Sequence, residues 1–143
     1  MQRSATAVWN GALRNGRGTI STQSRALADA PYSFVTRFED SAGTNPEELV
    51  AAAHAACFSM ALSAQLGTMK LEPESIRTMA TVSLEHLDAG WTISRVRLDV
   101  IGRFPNISAG AFESAAASAK ANCPVSRLLK AEITMSARLE ASS

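Results

Sequence analysis

The stretch TNPEELVAAAHAACFSMAL, residues 44–62, has the clearest helix start in the chain. Thr44 is a residue type that caps helix N-termini, and Glu47, three residues later, completes the pattern of a capping box. Pro46 suits the first helical position because its missing N–H needs no partner there, and the acidic first turn complements the positive end of the helix dipole. We therefore predict that a long helix begins at this point.

From Val50 to Ala64 this helix has no charge and carries alanine on every face. A helix on the outside of a domain normally shows a polar stripe, so we expect this one to be central and buried on most sides. We expect it to end near Leu66, with Gly67 as its C-cap. As a membrane span the run 49–66 would be weak, because alanine contributes little burial energy and the ends lack aromatic or basic anchors.

The segments around this helix predict an α+β fold in a single domain, residues 1–143. Alternating apolar residues and turn signals indicate strands at Ala5–Trp9, Gly18–Thr22, Tyr32–Phe38, Ser75–Leu87, Trp91–Phe104 and Glu132–Leu139. A second alanine-rich helix is predicted at Ser108–Ala121, and Asn122-Cys123-Pro124 separates it from a short helical turn over Val125–Lys130.

Composition excludes some classes of partner. The chain has 14 basic and 13 acidic residues, for a net charge of +1, and no run of five like charges. We therefore expect no nucleic acid and no membrane as partners. The segment Met1–Trp9 lacks the apolar core of a secretion signal, so we expect a cytoplasmic protein. In a reducing compartment two cysteines are typical of catalytic, redox-active or inert thiols rather than of a permanent disulfide.

The two cysteines have different local settings. Cys57 lies in the middle of the alanine-rich helix, where burial would raise its pKa and leave it inert. Cys123 precedes Pro124, which can begin a new helical turn, so Cys123 falls at an N-cap where free N–H groups favour a thiolate. From these settings alone Cys123 is the easier thiolate, and the order in which the two thiols react stays open.

A metal site is an alternative use of these residues. His54 and Cys57 are three positions apart on one helical face, and His86 and Cys123 could complete a zinc site. The four residues lie in scattered segments without a paired C-x-x-C, so the pattern is only a weak signal for a metal site. A buried, hydrogen-bonded side chain is the more frequent role for a histidine such as His54.

Two charged residues are candidates to activate a thiol. Arg37 lies in an otherwise apolar predicted strand, and its guanidinium could bind Glu47 in a bidentate manner. Such a pair beside a thiol would lower the thiol pKa by about 1–3 units. The alternatives are a solvent-facing arginine on an edge strand and an acid that only complements the helix dipole.

Three stretches together resemble a known family. TNPEELVAAAHAACFSMAL at 44–62, NCPVSRLLKAEI at 122–133 and PYSFVTRFE at 31–39 closely resemble the osmotically inducible protein C (OsmC) family, whose sister branch is the organic hydroperoxide resistance (Ohr) proteins. The likeness covers nearly the whole chain. His54, followed by Ala55-Ala56-Cys57, is similar to the OsmC branch rather than to its sister.

The resemblance implies an intertwined homodimer with antiparallel sheets, two central alanine-rich helices and two active sites at the subunit boundary. It also implies that Cys57 is the attacking thiol, that Cys123 is the resolving thiol, and that Arg37 and Glu47 form the activating pair. In the sister branch the activating arginine comes from an N-terminal segment, and Arg17 falls near that position. We favour Arg37.

The predicted function is that of a thiol-dependent peroxidase. It reduces organic peroxides, and hydrogen peroxide less well, through a Cys57 sulfenic acid and a Cys57–Cys123 disulfide, and the resemblance implies a lipoyl-type dithiol as external reductant. No cofactor or metal is expected. The apolar residues Phe38, Phe58 and Met60 are candidates for the substrate pocket. The alternatives are a non-catalytic ligand-binding domain and a general disulfide oxidoreductase, although the usual C-x-x-C spacing is missing.

Overall fold

The computed structural model describes residues 1–142. It confirms the predicted α+β class, with six strands and four helices among these residues. Its backbone contacts divide the chain into two compact units, Met1–Leu49 and Val50–Ser143. Each unit contains one three-stranded sheet. The prediction of a single domain over residues 1–143 stays a prediction.

The first unit is built on an N-terminal hairpin, as predicted. Strands β1 (Ala5–Asn10) and β2 (Arg17–Thr22) pair in antiparallel fashion, and the short strand β3 (Ala30–Tyr32) pairs with the other edge of β2. The ring of Trp9 lies 5.4 Å from that of Tyr32, centroid to centroid. These contacts place aromatic side chains on one side of a small sheet.

The predicted strand Tyr32–Phe38 is wrong, because a short helix, α1 (Phe34–Phe38), occupies most of it. Ser33 and Thr36 form a capping box: the Ser33 hydroxyl accepts from the Thr36 N–H (3.3 Å), and the Thr36 hydroxyl accepts from the Ser33 N–H (2.8 Å). The two phenylalanines at the ends of α1 are four residues apart, and their rings stack on one face at 4.8 Å. Their spacing suits a helical turn as well as an alternating strand, and the capping box favours the helix.

The predicted long helix is confirmed as α2 (Pro46–Thr68), with proline at its first position. The predicted cap is wrong by one residue. The Asn45 side-chain oxygen accepts from the backbone N–H of Glu48 at 2.8 Å, whereas the Thr44 hydroxyl donates to the Glu48 carboxylate. Asn45 therefore satisfies the helix start, and Glu47 remains free for another partner.

The predicted C-cap at Gly67 is also wrong, because this residue still belongs to α2. The chain turns away at Lys70, whose φ of +59° is in the left-handed region. The N–H of Leu71 then reaches back to the carbonyl of Leu66 at 3.0 Å, as in a Schellman-type ending. Lysine here takes the conformation that glycine adopts most easily.

Helix α2 buries one face only, so the expectation of burial on most sides is wrong for the single chain. The buried face repeats every fourth residue: His54, Phe58, Leu62 and Leu66. The opposite side, which we call the open face of α2, consists of exposed uncharged residues: Ala52, Ala53, Ala56, Met60, Ser63, Ala64 and Gly67. Met60 is 75% exposed there.

By length and composition α2 would also qualify as a membrane span. That finding is weak, since the core helix of a soluble protein passes the same test. Here Phe58, Leu62 and Leu66 are fully buried and belong to the hydrophobic core of the second unit. The apolar character of α2 is therefore partly explained by its own core contacts.

The second unit is a sheet with helices against it. Strands β4 (Ser75–Leu87) and β5 (Gly90–Arg103) form the predicted hairpin, and the predicted last strand is confirmed as β6 (Glu132–Glu140). In contrast to the expected antiparallel pairing, β6 runs parallel to β5. A parallel neighbour needs a crossover, which the two helices between β5 and β6 provide.

These crossover helices are α3 (Ala109–Asn122) and α4 (Pro124–Leu128). The prediction that Cys123 is the N-cap of a new helical turn is confirmed, with Pro124 at the first position. The core of this unit contains residues of α2, β5 and α3 and the segments beside them: Phe58, Leu62, Leu66, Val96, Leu98, Val100, Phe104, Phe112, Ala115, Ala116, Ala119 and Cys123. Cys123 is thus held between a packed core and a helix N-terminus.

Candidate active site

The fold of the second unit brings the two cysteines together. Cys57 is half-buried on α2, and Cys123, at the N-cap of α4, is fully buried; both are free thiols. The two thiols are close enough for each to influence the pKa of the other. Because Cys57 alone of the pair is open to solvent in this chain, it is the thiol that a dissolved molecule can reach.

The environment of Cys123 favours its charged form. Burial by itself would raise the pKa of this thiol, but hydrogen bonds from the backbone N–H of Ser126, from the Cys57 thiol, from the Ser126 hydroxyl and from the Val125 N–H hold its pKa below the usual value. Backbone N–H groups at the first turn of a helix have no helical partner and can stabilise a thiolate.

The environment of Cys57 acts in the opposite direction. Burial raises the pKa of Cys57, the hydrogen bond from Val125 opposes this rise, and the neighbouring Cys123 adds to it through its hydrogen bond and its charge. The two thiols influence each other's ionisation, and Cys123 is the one whose surroundings lower its pKa. The accessible thiol is therefore Cys57, whereas the thiol with the lowered pKa is Cys123.

His54 lies beside the thiol pair and is fully buried. Its Nε2 is 2.8 Å from the Ser126 hydroxyl oxygen, and its Nδ1 has no hydrogen-bond partner among residues 1–142. Burial lowers the pKa of this imidazole, so the side chain is neutral near physiological pH. The predicted hydrogen-bonded role of His54 is confirmed for one of its two ring nitrogens.

The alternative of a zinc site has no support from side-chain positions. Within the part of the chain that the structure describes, no three His, Cys, Asp or Glu side chains cluster closely enough to hold a metal. His86, the remaining histidine, is exposed on β4 and packs edge-on against Trp91, with ring centroids 5.2 Å apart.

Arg37 and Glu47 form the predicted ion pair within the first unit. The Nε of Arg37 donates to both oxygens of Glu47 at 3.2 and 3.3 Å, and its Nη2 donates to Oε1 at 2.8 Å. The guanidinium also lies over the ring of Phe38, 5.2 Å from its centroid. Arg37 sits in the last turn of α1 rather than on a strand. Arg17, in contrast, is exposed at the start of β2 and forms no ion pair within residues 1–142.

A cavity of about 250 Å³ adjoins this ion pair in the first unit. It is lined by Trp9, Leu13, Tyr32, Ser33, Phe34, Arg37, Phe38 and Pro46. Of the three predicted pocket residues, Phe38 lines this cavity, Phe58 is a core residue of the second unit, and Met60 lies on the open face of α2. Trp9, Tyr32 and Phe34 were missed as lining, because the cavity forms between β1, β3 and α1, and contacts between separate segments cannot be read from local sequence patterns.

The second unit therefore holds two neighbouring free thiols, one of them at a helix N-terminus. The comparisons with known proteins specify the class further. A family model described as OsmC-like protein matches residues 38–138. The chain therefore belongs to the OsmC family.

The relatives agree in sequence and in fold. Peroxiredoxin OsmC of Escherichia coli (strain K12) is 49% identical over 140 residues, which are 98% of each chain. An OsmC-like protein of unknown function from Vibrio cholerae has the same fold, with a TM-score of 0.77 at 18% identity over 96% of this chain and 99% of that one. The organic hydroperoxide resistance protein OhrB of Bacillus subtilis gives a TM-score of 0.68 at 21% identity, over 96% and 98% of the two chains.

The buried His54 predicts how stability depends on pH. Below the ordinary histidine pKa of 6.5, the unfolded chain binds a proton that the folded chain resists, so the free energy of unfolding falls as the pH falls. Urea denaturation at about pH 7 and about pH 5 should show a smaller fall for His54→Gln than for the wild type. His86→Gln replaces the exposed histidine and should show the same fall in the free energy of unfolding between the two pH values as the wild type. An equal fall in all three proteins would contradict this explanation.

Proposed function

We propose that this protein reduces organic hydroperoxides to alcohols, and hydrogen peroxide less well, by means of Cys57 and Cys123. Membership in the OsmC family and the 49% identity to a peroxiredoxin make the chain a peroxide-reducing enzyme. The observation that carries the proposed roles is the contact between two free thiols of which one, Cys57, is accessible.

In the first step, the Cys57 thiolate attacks one peroxide oxygen. The O–O bond breaks, the alkoxide leaves and takes up a proton to become an alcohol, and Cys57 becomes a sulfenic acid. Access supports this role, because Cys123 is fully buried in the chain, whereas Cys57 is half-exposed.

Cys57 needs a cation for this step, since its surroundings in the single chain raise its pKa. We assign this task to Arg37. Glu47 binds the Nε and Nη2 of Arg37 and leaves Nη1 without a protein partner among the described residues. A guanidinium held in this way can donate to a thiolate or to a peroxide oxygen while its orientation stays fixed.

In the second step, Cys123 closes the disulfide. Its sulfur attacks the sulfur of the Cys57 sulfenic acid, the S–O bond breaks, and hydroxide leaves and is protonated to water. A thiol of lowered pKa at the N-cap of α4 suits this role, because a larger share of it is the thiolate that attacks. An external dithiol of the lipoyl type then supplies two electrons by thiol–disulfide exchange and restores both thiols.

The preference for organic hydroperoxides rests on the cavity beside Arg37. Trp9, Tyr32, Phe34 and Phe38 give it aromatic walls, and Arg37 contributes the one charged side chain of its lining. An apolar chain could be held by the aromatic rings while the peroxide group meets the guanidinium. The chemistry proposed here uses protein thiols alone and requires no metal or other cofactor.

The open face of α2 supports the proposal of a homodimer. It presents an uncharged surface rich in small residues along a helix of 23 residues. Alanine and glycine let a second helix approach closely, and pairing about a two-fold axis would cover the same surface on both copies. Such a dimer could bring the Arg37–Glu47 pair of one copy to a thiol pair. We place the protein in the cytoplasm, where its thiols stay reduced.

The roles of the two thiols are tested by peroxide turnover with cumene hydroperoxide and dihydrolipoamide. We expect the wild type to consume peroxide, Cys57→Ser to consume none, and Cys123→Ser to form a sulfenic acid that does not close a disulfide. Mass spectrometry after one equivalent of peroxide identifies each state. A working Cys57→Ser beside an inactive Cys123→Ser would reverse the roles. No turnover by the folded wild type would favour a ligand-binding domain, and dithiol turnover without peroxide would favour a general disulfide oxidoreductase.

The choice between the two arginines is tested by a matched pair of variants. Arg37→Ala should reduce kcat/KM for cumene hydroperoxide by roughly 100-fold or more, because one preorganised donor is lost where charge develops. Arg17→Ala should stay near the wild type. If Arg17→Ala is the damaging variant and Arg37→Ala is not, the assignment moves to the arginine of β2.

The dimer is tested at the open face of α2. Ala64→Glu places a charge on this face and should shift the protein toward monomers in sedimentation velocity, since a buried unpaired charge is costly. Ala117→Glu makes the same change at an exposed position of α3 and should leave the sedimentation coefficient unchanged. A monomeric wild type, or a wild type that stays in solution only with detergent, would refute the proposal.

A further inference from the structure

The buried histidine of α2 has no part in the chemistry proposed so far. His54 is separated from the Cys123 sulfur by one side chain, that of Ser126, which belongs to the first turn of α4. The Ser126 hydroxyl lies 2.8 Å from His54 Nε2, and Ser126 is the third residue of the helix that Cys123 caps, the position whose side chain faces the N-cap. The Ser126 hydroxyl is also among the groups that lower the pKa of Cys123. The three side chains therefore form a continuous row of polar groups inside the second unit.

The unpaired ring nitrogen indicates which tautomer the row requires. Since Nδ1 of His54 has no partner among the described residues, a proton there would be a buried N–H donor without an acceptor. With the proton on Nε2, only a lone pair at Nδ1 is left unsatisfied, and the N–H points to the oxygen of Ser126 at 2.8 Å. Buried donors are rarely left unpaired, so the Nε2–H tautomer is favoured.

This tautomer determines the direction of the next hydrogen bond. A serine hydroxyl has one proton to donate and accepts through its lone pairs. If it accepts from His54 Nε2–H, its own proton is free to point to the sulfur of Cys123. The order is then His54 N–H to Ser126 oxygen, and Ser126 O–H to Cys123 sulfur.

We propose that His54 is a positioning residue that holds the Ser126 hydroxyl toward the Cys123 sulfur and so prepares Cys123 to close the disulfide. His54 acts only through Ser126 and touches no reacting atom. The inference rests on the proposed function for the role of Cys123 as the resolving thiol.

Two properties of the site support this role over that of a general base. The imidazole is fully buried, and burial lowers its pKa, so a positive charge on His54 is disfavoured. The hydrogen bond from the Ser126 hydroxyl is one of the contacts that lower the pKa of Cys123. A neutral donor that aligns Ser126 needs no change of its own charge during the reaction.

The relevant chemical step is the closure of the disulfide. The Cys123 thiolate forms an S–S bond with the sulfenic sulfur of Cys57, whose S–O bond breaks to release hydroxide. Cys123 is oxidised, the sulfenic oxygen leaves as water after protonation, and the peroxide of the first step is the oxidant for the whole sequence. The Ser126 proton stays on its oxygen throughout, since it only stabilises the attacking sulfur.

The experiment follows disulfide closure after one equivalent of cumene hydroperoxide is added to the reduced, full-length protein. Sulfenic acid is trapped with dimedone at successive times, and disulfide is counted by mass. We expect Ser126→Ala and His54→Leu each to slow closure about tenfold relative to sulfenic acid formation, which corresponds to one hydrogen bond to a charged group. The double variant should be no slower than Ser126→Ala, because His54 acts only through Ser126.

Two further variants separate positioning from folding. His54→Gln can donate an amide N–H to Ser126 and should close its disulfide near the wild-type rate, and His86→Leu, a change of the exposed histidine, should be indistinguishable from the wild type. The proposal would be overturned by any of three results. The double variant could slow closure by the sum of the two single effects, Ser126→Ala could close its disulfide at the wild-type rate, or His54→Gln could slow closure as much as His54→Leu. If His54→Leu does not fold, Ser126→Ala and His54→Gln decide the question.

A second measurement does not depend on peroxide chemistry. In a Cys57→Ser background, the ultraviolet absorbance of the Cys123 thiolate is followed against pH. Adding Ser126→Ala or His54→Leu should move this titration to higher pH, and adding His54→Gln should not. If the protein reduces no peroxide but shows these shifts, the proposed function is wrong and the hydrogen-bonded row of His54, Ser126 and Cys123 is supported. If the protein is active but shows no shifts, only the role of His54 and Ser126 is wrong.

Discussion

The position of Cys123 at the first turn of α4 is the constraint on which the proposed chemistry of this site depends. The N–H groups of Val125 and Ser126 are among the groups that lower the pKa of Cys123, although this thiol is closed to solvent and burial opposes the change. Cys57 shows the opposite shift, because burial raises its pKa and the neighbouring Cys123 raises it further. The fold thus buries the thiol whose pKa is lowered and exposes the thiol that is harder to ionise.

This difference between the two pKa values explains why the proposed mechanism needs a cation in addition to the two cysteines. The buried thiol can attack a sulfenic acid on its neighbour, but a dissolved peroxide cannot reach it. An exposed thiol can meet a peroxide, but it requires a cation. The Arg37–Glu47 pair supplies a guanidinium with a fixed orientation, and the uncharged open face of α2 suits a partner copy that could deliver it. The proposed activity would then belong to the assembled protein rather than to one chain.

Elements with local signals were predicted well. Turn residues between alternating apolar runs identified both hairpins, and proline after Cys123 identified the start of α4. The error at α1 arose because phenylalanines four residues apart suit both a strand and a helical turn. The error about the burial of α2 had a different cause. A lack of charge permits the burial of a helix surface, but it does not show whether that surface is buried within a single chain.

The sequence by itself determined the class of fold, the long uncharged helix, the four candidate reactive residues and the family that they resemble. Only the tertiary structure decided that Cys57 and Cys123 are neighbours, that Arg37 binds Glu47 from a helix, and that His54 binds Ser126 in the first turn of α4. Caps, turns and periodicity are local and can be read from neighbouring residues. Contacts between α2 and α4 join residues more than 60 positions apart, and the tautomer of a histidine depends on which of its nitrogens those contacts leave unpaired.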